Sequence, residues 1–408
     1  MKVEDRPPTS TLCVHGGDRP DPATGAVEPP LHLASAFAFD DAEQAAGAFR
    51  GENEHFIYGR WGNPTVDALE EKLAMLEGSG APGVAACATA SGMAAIAATL
   101  LTLCETGDAV VAPRSMYGES ARLLRERLPR LGIETTFVDQ SDPSSYERAI
   151  GPRTKVLYVE TPANPMLTIT DLAAVVAIAR KRGLTVVADN TFATPYCQRP
   201  LSHGVDLVVH SMTKAIGGHG DAIGGAVIGD SARIRAIKET AIKTFGGVLA
   251  PFNALLISRG VRTFALRARQ SCATALALAQ ALERHPRVRR VFYPGLPSHP
   301  GHAVAARQMS SFGALVAFEV ESLAVGRAVL EGCRVVTHAV SLGDVRSLVT
   351  HPASTTHASM PAEARVAAGI ADGLLRVSCG IEETEDVVAD VVGALDQATS
   401  APSPREAR

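Results

Sequence analysis

Between residues 84 and 229 short apolar runs alternate with stretches of helical periodicity. The runs "DAVVAP", "KVLYVETP", "LTVVADN", "VDLVVHS" and "AIGGAVIG" read as strands, each bounded by turn residues. "DLAAVVAIARKRG" at 171–183 has its apolar positions on one face and closes on basic residues and Gly183, the signs of a helix end. A further helix is expected to begin at Pro64-Thr65, where Val66, Leu69, Leu73 and Leu76 keep helical spacing. Strand–helix–strand alternation predicts an α/β fold with a mainly parallel sheet covered by helices on both faces. In such sheets ligands gather at the carboxyl ends of the strands. Glu160, Asp189 and Ser211 fall at such ends.

The pattern changes on either side. Residues 1–64 are rich in Pro and Gly and read as an extended arm; 65–250 form the α/β domain. Residues 251–408, with the long helical segment "ALLISRGVRTFALRARQSCATALALAQALERH" and then "FGALVAFEV", "LLRVSCG" and a last helix, read as a smaller α+β domain. The tail "TSAPSPREAR" is expected to be disordered. Gly78–Cys104 has no charged residue and the length of a membrane span, but its Ala, Thr, Ser and Gly content and Ser91-Gly92 favour a strand, a turn and a buried helix.

Composition narrows the function. The 408 residues are 46% hydrophobic and 20% charged, an ordinary globular balance with material for two or three domains. A net charge of −4 gives no basic footprint for nucleic acid and no polybasic membrane signal. "MKVEDRPPTS" has no apolar core of a signal peptide. The seven cysteines are scattered without a C-x-x-C pair, which suits reduced thiols in a cytoplasm.

The candidate chemistry lies in "DLVVHSMTKAIGGHGDAIGG", 206–225. A buried strand there runs into Ser211, Thr213 and Lys214. Hydroxyls and backbone N–H groups at such a turn bind phosphate. A lysine beside them can form a Schiff base with a carbonyl carried on that phosphate. A nucleotide-binding P-loop is excluded because Ala215 follows the lysine, and the glycine spacing is one residue too long for a dinucleotide loop. No metal is expected: Asp189, His210, His219 and Asp221 lack the usual ligand spacing. Asp189 closes the strand "LTVVADN", where a carboxylate could keep a pyridine nitrogen protonated.

Together with "YGRWGNPT", "ASGMAAI", "SMYGES", "VETPANP", "ADNTFATPY", "AVSLGDVRSLVTHPASTTHASM" and "GLLRVSCGIEETED", this stretch resembles the Cys/Met-metabolism (trans-sulfuration) family of pyridoxal phosphate (PLP) enzymes, in order over residues 10–398. The resemblance implies an aspartate-aminotransferase-like fold, PLP fold type I. It implies that Lys214 holds the cofactor covalently and shuttles protons, and that Asp189 pairs with the ring nitrogen. Ser211, Thr213 and the backbone of Gly92 and Met93 would bind the phosphate, the last two at a helix N-terminus. Tyr117 would stack on the ring as acid or base. Tyr58 and Arg60 would reach a neighbouring subunit's cofactor, within a homotetramer built from dimers. Arg376 and Ser341 would hold the substrate carboxylate.

The substrate class follows from departures inside these motifs. Ile57 and Val340 stand where similar cystathionine lyases carry acidic residues, which favours a small apolar γ-substituent. Glu119 stands where methionine γ-lyases have cysteine, and either adds a charge to the pocket or faces solvent at a helix start. Ala215 and Trp61 are further departures. The expected activity is elimination at Cγ, most like methionine γ-lyase. The alternatives are O-acetyl- or O-succinylhomoserine sulfhydrylase, cystathionine γ-synthase or γ-lyase, and a non-catalytic binding protein on the same fold.

Overall fold

The computed structural model describes residues 8–355, 363, 365 and 369–398. The tail 399–408, and with it the expected disorder, lies outside the described residues, as do 1–7 and the last five residues of the 339–360 motif. The chain forms two compact units, one of Met1–Glu105 with Asp206–Phe264, the other of Thr106–Val205 with Ala265–Arg408.

The first unit carries β1 (Val84–Thr89), β6 (Leu207–Ser211) and β7 (Gly225–Asp230). Their order is β1-β7-β6, with β7 antiparallel to both neighbours. β7 is thus an antiparallel member of an otherwise mainly parallel set of strands. No crossover helix lies between β6 and β7, and only antiparallel neighbours can be joined without one. The anticipated strand, turn and helix at 84–103 are present: β1, then Ser91, then the helix Gly92–Leu103. The helix Pro64–Gly78 starts where Asn63 and Pro64 predict, with the Asn63 side chain accepting from Thr65 and Val66 N–H. It buries Leu69, Leu73 and Leu76. Its fully buried Lys72 meets Asp18 at 2.9 Å, tying the start of the chain to this helix. Two short helices, Thr9–His15 and Ala42–Arg50, occupy the Pro/Gly-rich beginning.

The second unit carries β2 (Ala109–Pro113), β3 (Glu134–Val138), β4 (Thr154–Glu160) and β5 (Thr185–Asp189) in the order β5-β4-β2-β3, all parallel. The helix Leu172–Arg182 ends at Gly183 in the left-handed conformation, as its sequence predicts. A five-stranded sheet follows: β8 (Val288–Phe292), β9 (Leu315–Val320), β10 (Thr337–His338), β11 (Leu348–Thr350) and β12 (Leu374–Ser378), ordered β10-β11-β12-β9-β8. Val316, Phe318, Leu375 and Val377 of this sheet pack with Val325, Val329, Val387 and Leu395 from two helices. The long helical segment near 254–285 is two helices, Pro251–Arg262 and Phe264–Glu283, separated at Thr263. No helix among the described residues is long and apolar enough to cross a membrane.

Candidate active site

The residues with expected roles divide between the two units. In the first, Ser211 ends β6 and the chain turns through Thr213 and Lys214, whose N–H donates to the Ser211 carbonyl at 3.2 Å. The Thr213 hydroxyl is fixed by Gly224: it donates to that carbonyl and accepts from that N–H, at 3.2 and 3.1 Å. Gly92 opens its helix beside Ser211. A Cβ on Gly92 would lie 2.8 Å from the Ser211 Cβ and 3.0 Å from its Cα. A Cβ on Gly225 would lie 2.1 Å from the Ser91 carbonyl oxygen. Any side chain at these two positions would close the cradle. The Ser91 hydroxyl caps the helix at Ala94 N–H, and the first N–H groups of a helix have no acceptor within it. The helix N-terminus at Gly92 thus adjoins Ser211 and the turn that carries the half-buried Lys214, and such an N-terminus favours a phosphate.

Ile57, Tyr58 and Arg60 sit on a loop that pairs with residues 35–37 through Phe37 N–H to Ile57 O and Gly59 N–H to Ser35 O. Arg60 donates to the Lys243 carbonyl and lies 5.7 Å from the Tyr58 ring centroid. Tyr58 is 43% exposed in the single chain.

In the second unit Asp189 is buried at the end of β5, where one oxygen accepts from Thr191 N–H at 3.0 Å. Tyr158 approaches its other oxygen at 3.5 Å. The adjoining strand β4 ends in Glu160, a residue without an assigned role in the sequence reading. Its two oxygens each accept a backbone N–H at 2.9 Å, one from Tyr117 and one from Asn164. The Asn164 side-chain oxygen accepts from Arg376 at 2.6 Å, and the Arg376 guanidinium donates also to the Ser341 carbonyl at 3.2 Å. Arg376 rises from β12 and is 4% exposed; its Nε is buried with no acceptor, and its guanidinium lies 5.7 Å from the Phe192 ring. One carboxylate therefore sets the backbone of Tyr117 and, through Asn164, the guanidinium of Arg376. Glu160 was marked by its place at a strand end, whereas only the surrounding motif, "VETPANP", gave a signal for Asn164.

Electrostatics sort these groups. Burial pushes Arg376 down to about 10, opposed by Glu160, so it stays cationic near neutrality. Burial, then the charges of Glu119 and Glu160, raise the Tyr117 phenol, which holds its proton and suits it to donate. Glu119 lies in the first turn of the helix Gly118–Arg122, exposed, with Arg122 at 3.9 Å. Val340 is 61% exposed.

Burial, and next the charge of Asp189, raise Glu160 to about 8. An unfolded glutamate titrates near ~4.3. A folded carboxyl with a raised pKa holds its proton more tightly than the unfolded chain does. Its contribution to stability is full below the unfolded pKa and is lost as pH rises toward 8. Glu160→Gln removes this titration, so relative to the parent the variant should gain stability between pH 5 and 8, on the order of a few kcal/mol. Urea unfolding of both proteins at the two pH values measures it; a gap that stays the same would show Glu160 ionised throughout.

Residues 10–396 match the family described as Cys/Met metabolism PLP-dependent enzyme. The L-methionine gamma-lyase of Porphyromonas gingivalis is 44% identical over 97% of this chain and 99% of its own length. The O-succinylhomoserine sulfhydrylase of Mycobacterium tuberculosis is 44% identical over 90% of each chain. The crystal structure of cystathionine gamma synthase from Xanthomonas oryzae pv. oryzae, in complex with cystathionine, superposes with a TM-score of 0.90 at 43% identity, covering 96% of this chain and 98% of that one. With matches along nearly its whole length, and with a cradle and a lysine that fit the cofactor, this chain belongs to the Cys/Met-metabolism family of PLP-dependent enzymes.

Proposed function

We propose that this enzyme eliminates or replaces the γ-substituent of a small sulfur amino acid or homoserine ester, most like methionine γ-lyase, which would convert L-methionine to 2-oxobutanoate, methanethiol and ammonia. The observation that carries the substrate class is the pair Ile57 and Val340, apolar where a distal ammonium would need carboxylates. Glu119, exposed and beside Arg122, supports the same reading. Bound pyridoxal phosphate supplies an electron sink for charge at the substrate Cα. The residues of the chain do the rest. Ser211, Thr213 and the N–H groups of Gly92 and Met93 hold the phosphate. Asp189 holds the proton on the ring nitrogen. Arg376 binds the substrate carboxylate through two parallel hydrogen bonds. The Lys214 amine takes the Cα proton and moves a second from Cβ. The Tyr117 phenol gives its proton to the departing sulfur or oxygen at Cγ. The arm 1–64 brings Tyr58 and Arg60 to a neighbouring subunit's cofactor, and the assembly is a cytoplasmic homotetramer built from dimers.

Steady-state kinetics on L-methionine, L-homocysteine, O-acetylhomoserine and L,L-cystathionine, scoring 2-oxobutanoate and thiol, test this reading. Leaving an ammonium buried and unpaired is costly, and ~1.4 kcal/mol is tenfold in rate. One of the first three should exceed cystathionine in kcat/KM by about tenfold or more. Should cystathionine win, and Glu119→Cys abolish that preference, Glu119 supplies the missing carboxylate and the assignment fails.

A further inference from the structure

The second unit holds a pair of thiols that the transformation does not use. Cys197 ends the helix Thr194–Cys197, eight positions beyond Asp189, and Cys272 lies on the helix Phe264–Glu283. Their sulfurs are 3.6 Å apart in an apolar cage of Ile169, Ala193, Ala305 and Met309. All seven cysteines are free thiols. We propose that Cys197 and Cys272 form a peroxide-responsive dithiol, in which Cys272 is the attacking sulfur and Cys197 the resolving one.

The geometry distinguishes the two. Cys272 keeps 8% of its surface open and Cys197 2%, so Cys272 is the less enclosed of the two. Either sulfur can donate to the other, and Ser311 and Gly313 stand beside the same pair. These neighbours favour a thiolate at Cys272 and lower its pKa. By contrast, burial pushes the thiols of Cys87 and Cys379 up, and raises Cys333 to about 12. Thiolate character governs susceptibility to oxidation.

The steps balance with hydrogen peroxide as the oxidant. The Cys272 thiolate attacks one peroxide oxygen and the O–O bond breaks; sulfenic acid forms and hydroxide leaves. The Cys197 sulfur then attacks the sulfenic sulfur, the S–O bond breaks, and its proton leaves with the oxygen as water. Two thiols lose two electrons, and one peroxide becomes two waters. Closing the bond moves the sulfurs from contact to about 2 Å.

The bridge would cross-link two pieces of the candidate site. The Cys197 carbonyl accepts from Ser310 N–H at 2.7 Å, in the segment that follows Asp189 and Phe192. On the other side Ser271, next to Cys272, donates to the Gly380 carbonyl at 2.8 Å, just beyond Arg376 on β12.

Treating the cofactor-loaded enzyme with hydrogen peroxide, followed by thiol titration and peptide mapping without reductant, is the test. The expected result is loss of two thiols per chain, a Cys197–Cys272 linked peptide as the first disulfide, and recovery of both thiols with a dithiol reductant. In Cys197→Ser a sulfenic-acid trap should label Cys272, whereas in Cys272→Ser Cys197 should stay unlabelled. First oxidation at Cys87, Cys333 or Cys379 would overturn the proposal. So would labelling of Cys197 in Cys272→Ser, or two thiols that persist after the others have reacted.

Discussion

Lys214→Ala is expected to lower kcat by roughly 10⁴-fold or more, since both its roles are lost: covalent attachment and proton transfer. The cradle beside it should survive. Ser211 is set by β6, Thr213 by its two bonds to Gly224, and Gly92 by its close approach to Ser211. The variant should therefore still bind pyridoxal phosphate, without the covalent link. Borohydride treatment fixes the cofactor to the parent chain, and mass spectrometry should find no such adduct in the variant. A reduced adduct together with retained turnover would mean that another amine does the work of Lys214.

The second large effect is expected at Arg376. Lysine keeps the positive charge but replaces a planar fork by a point charge, and it cannot keep the bonds to both Asn164 and Ser341 while meeting a carboxylate. Hydrogen bonds to charged groups contribute about 1.5–3 kcal/mol each. Arg376→Lys should thus reduce kcat/KM for L-methionine by about 100-fold, mostly through KM. L-methioninamide, which has no carboxylate, discriminates between explanations. If Arg376 binds the carboxylate, parent and variant should differ little on the amide. A deficit of equal size on both compounds would assign Arg376 a structural role.

Much of this machinery was legible because it lies where an apolar run stops. Asp189 and Ser211 are the polar residues on which β5 and β6 end, and that is where a parallel sheet presents chemistry. The helix at 64–78 was announced by Asn63 and Pro64. What the pattern could not show is pairing over distance. Glu160 reaches the Tyr117 backbone across 43 positions, and Arg376 meets Asn164 across 212. No local periodicity marks either. The antiparallel course of β7 was hidden for the same reason, since a strand's direction is fixed by its neighbours. Thr263, where the helix Pro251–Arg262 ends, carries no helix-breaking signal in the sequence. The helix Ala42–Arg50 did have a local sign, overlooked among the prolines: Asp41 accepts from Gln44 N–H, and Gln44 in turn accepts from Asp40 N–H.

The pairing of β1 with β7 also sets a timetable for biosynthesis. Residues 84–89 leave the ribosome long before their partners at 225–230 exist. At about 5–20 residues per second the interval is on the order of ten seconds. During it β1 and the apolar helix that follows are nascent and lack the strand they pair with, while the intervening residues 106–205 emerge and can collapse on their own parallel strands. The wall against which Gly92 rests is Ser211, so the proposed phosphate cradle is assembled only after that segment has been made. An emerging chain is thus unable to capture the cofactor early, and chaperone demand should concentrate on that interval of translation.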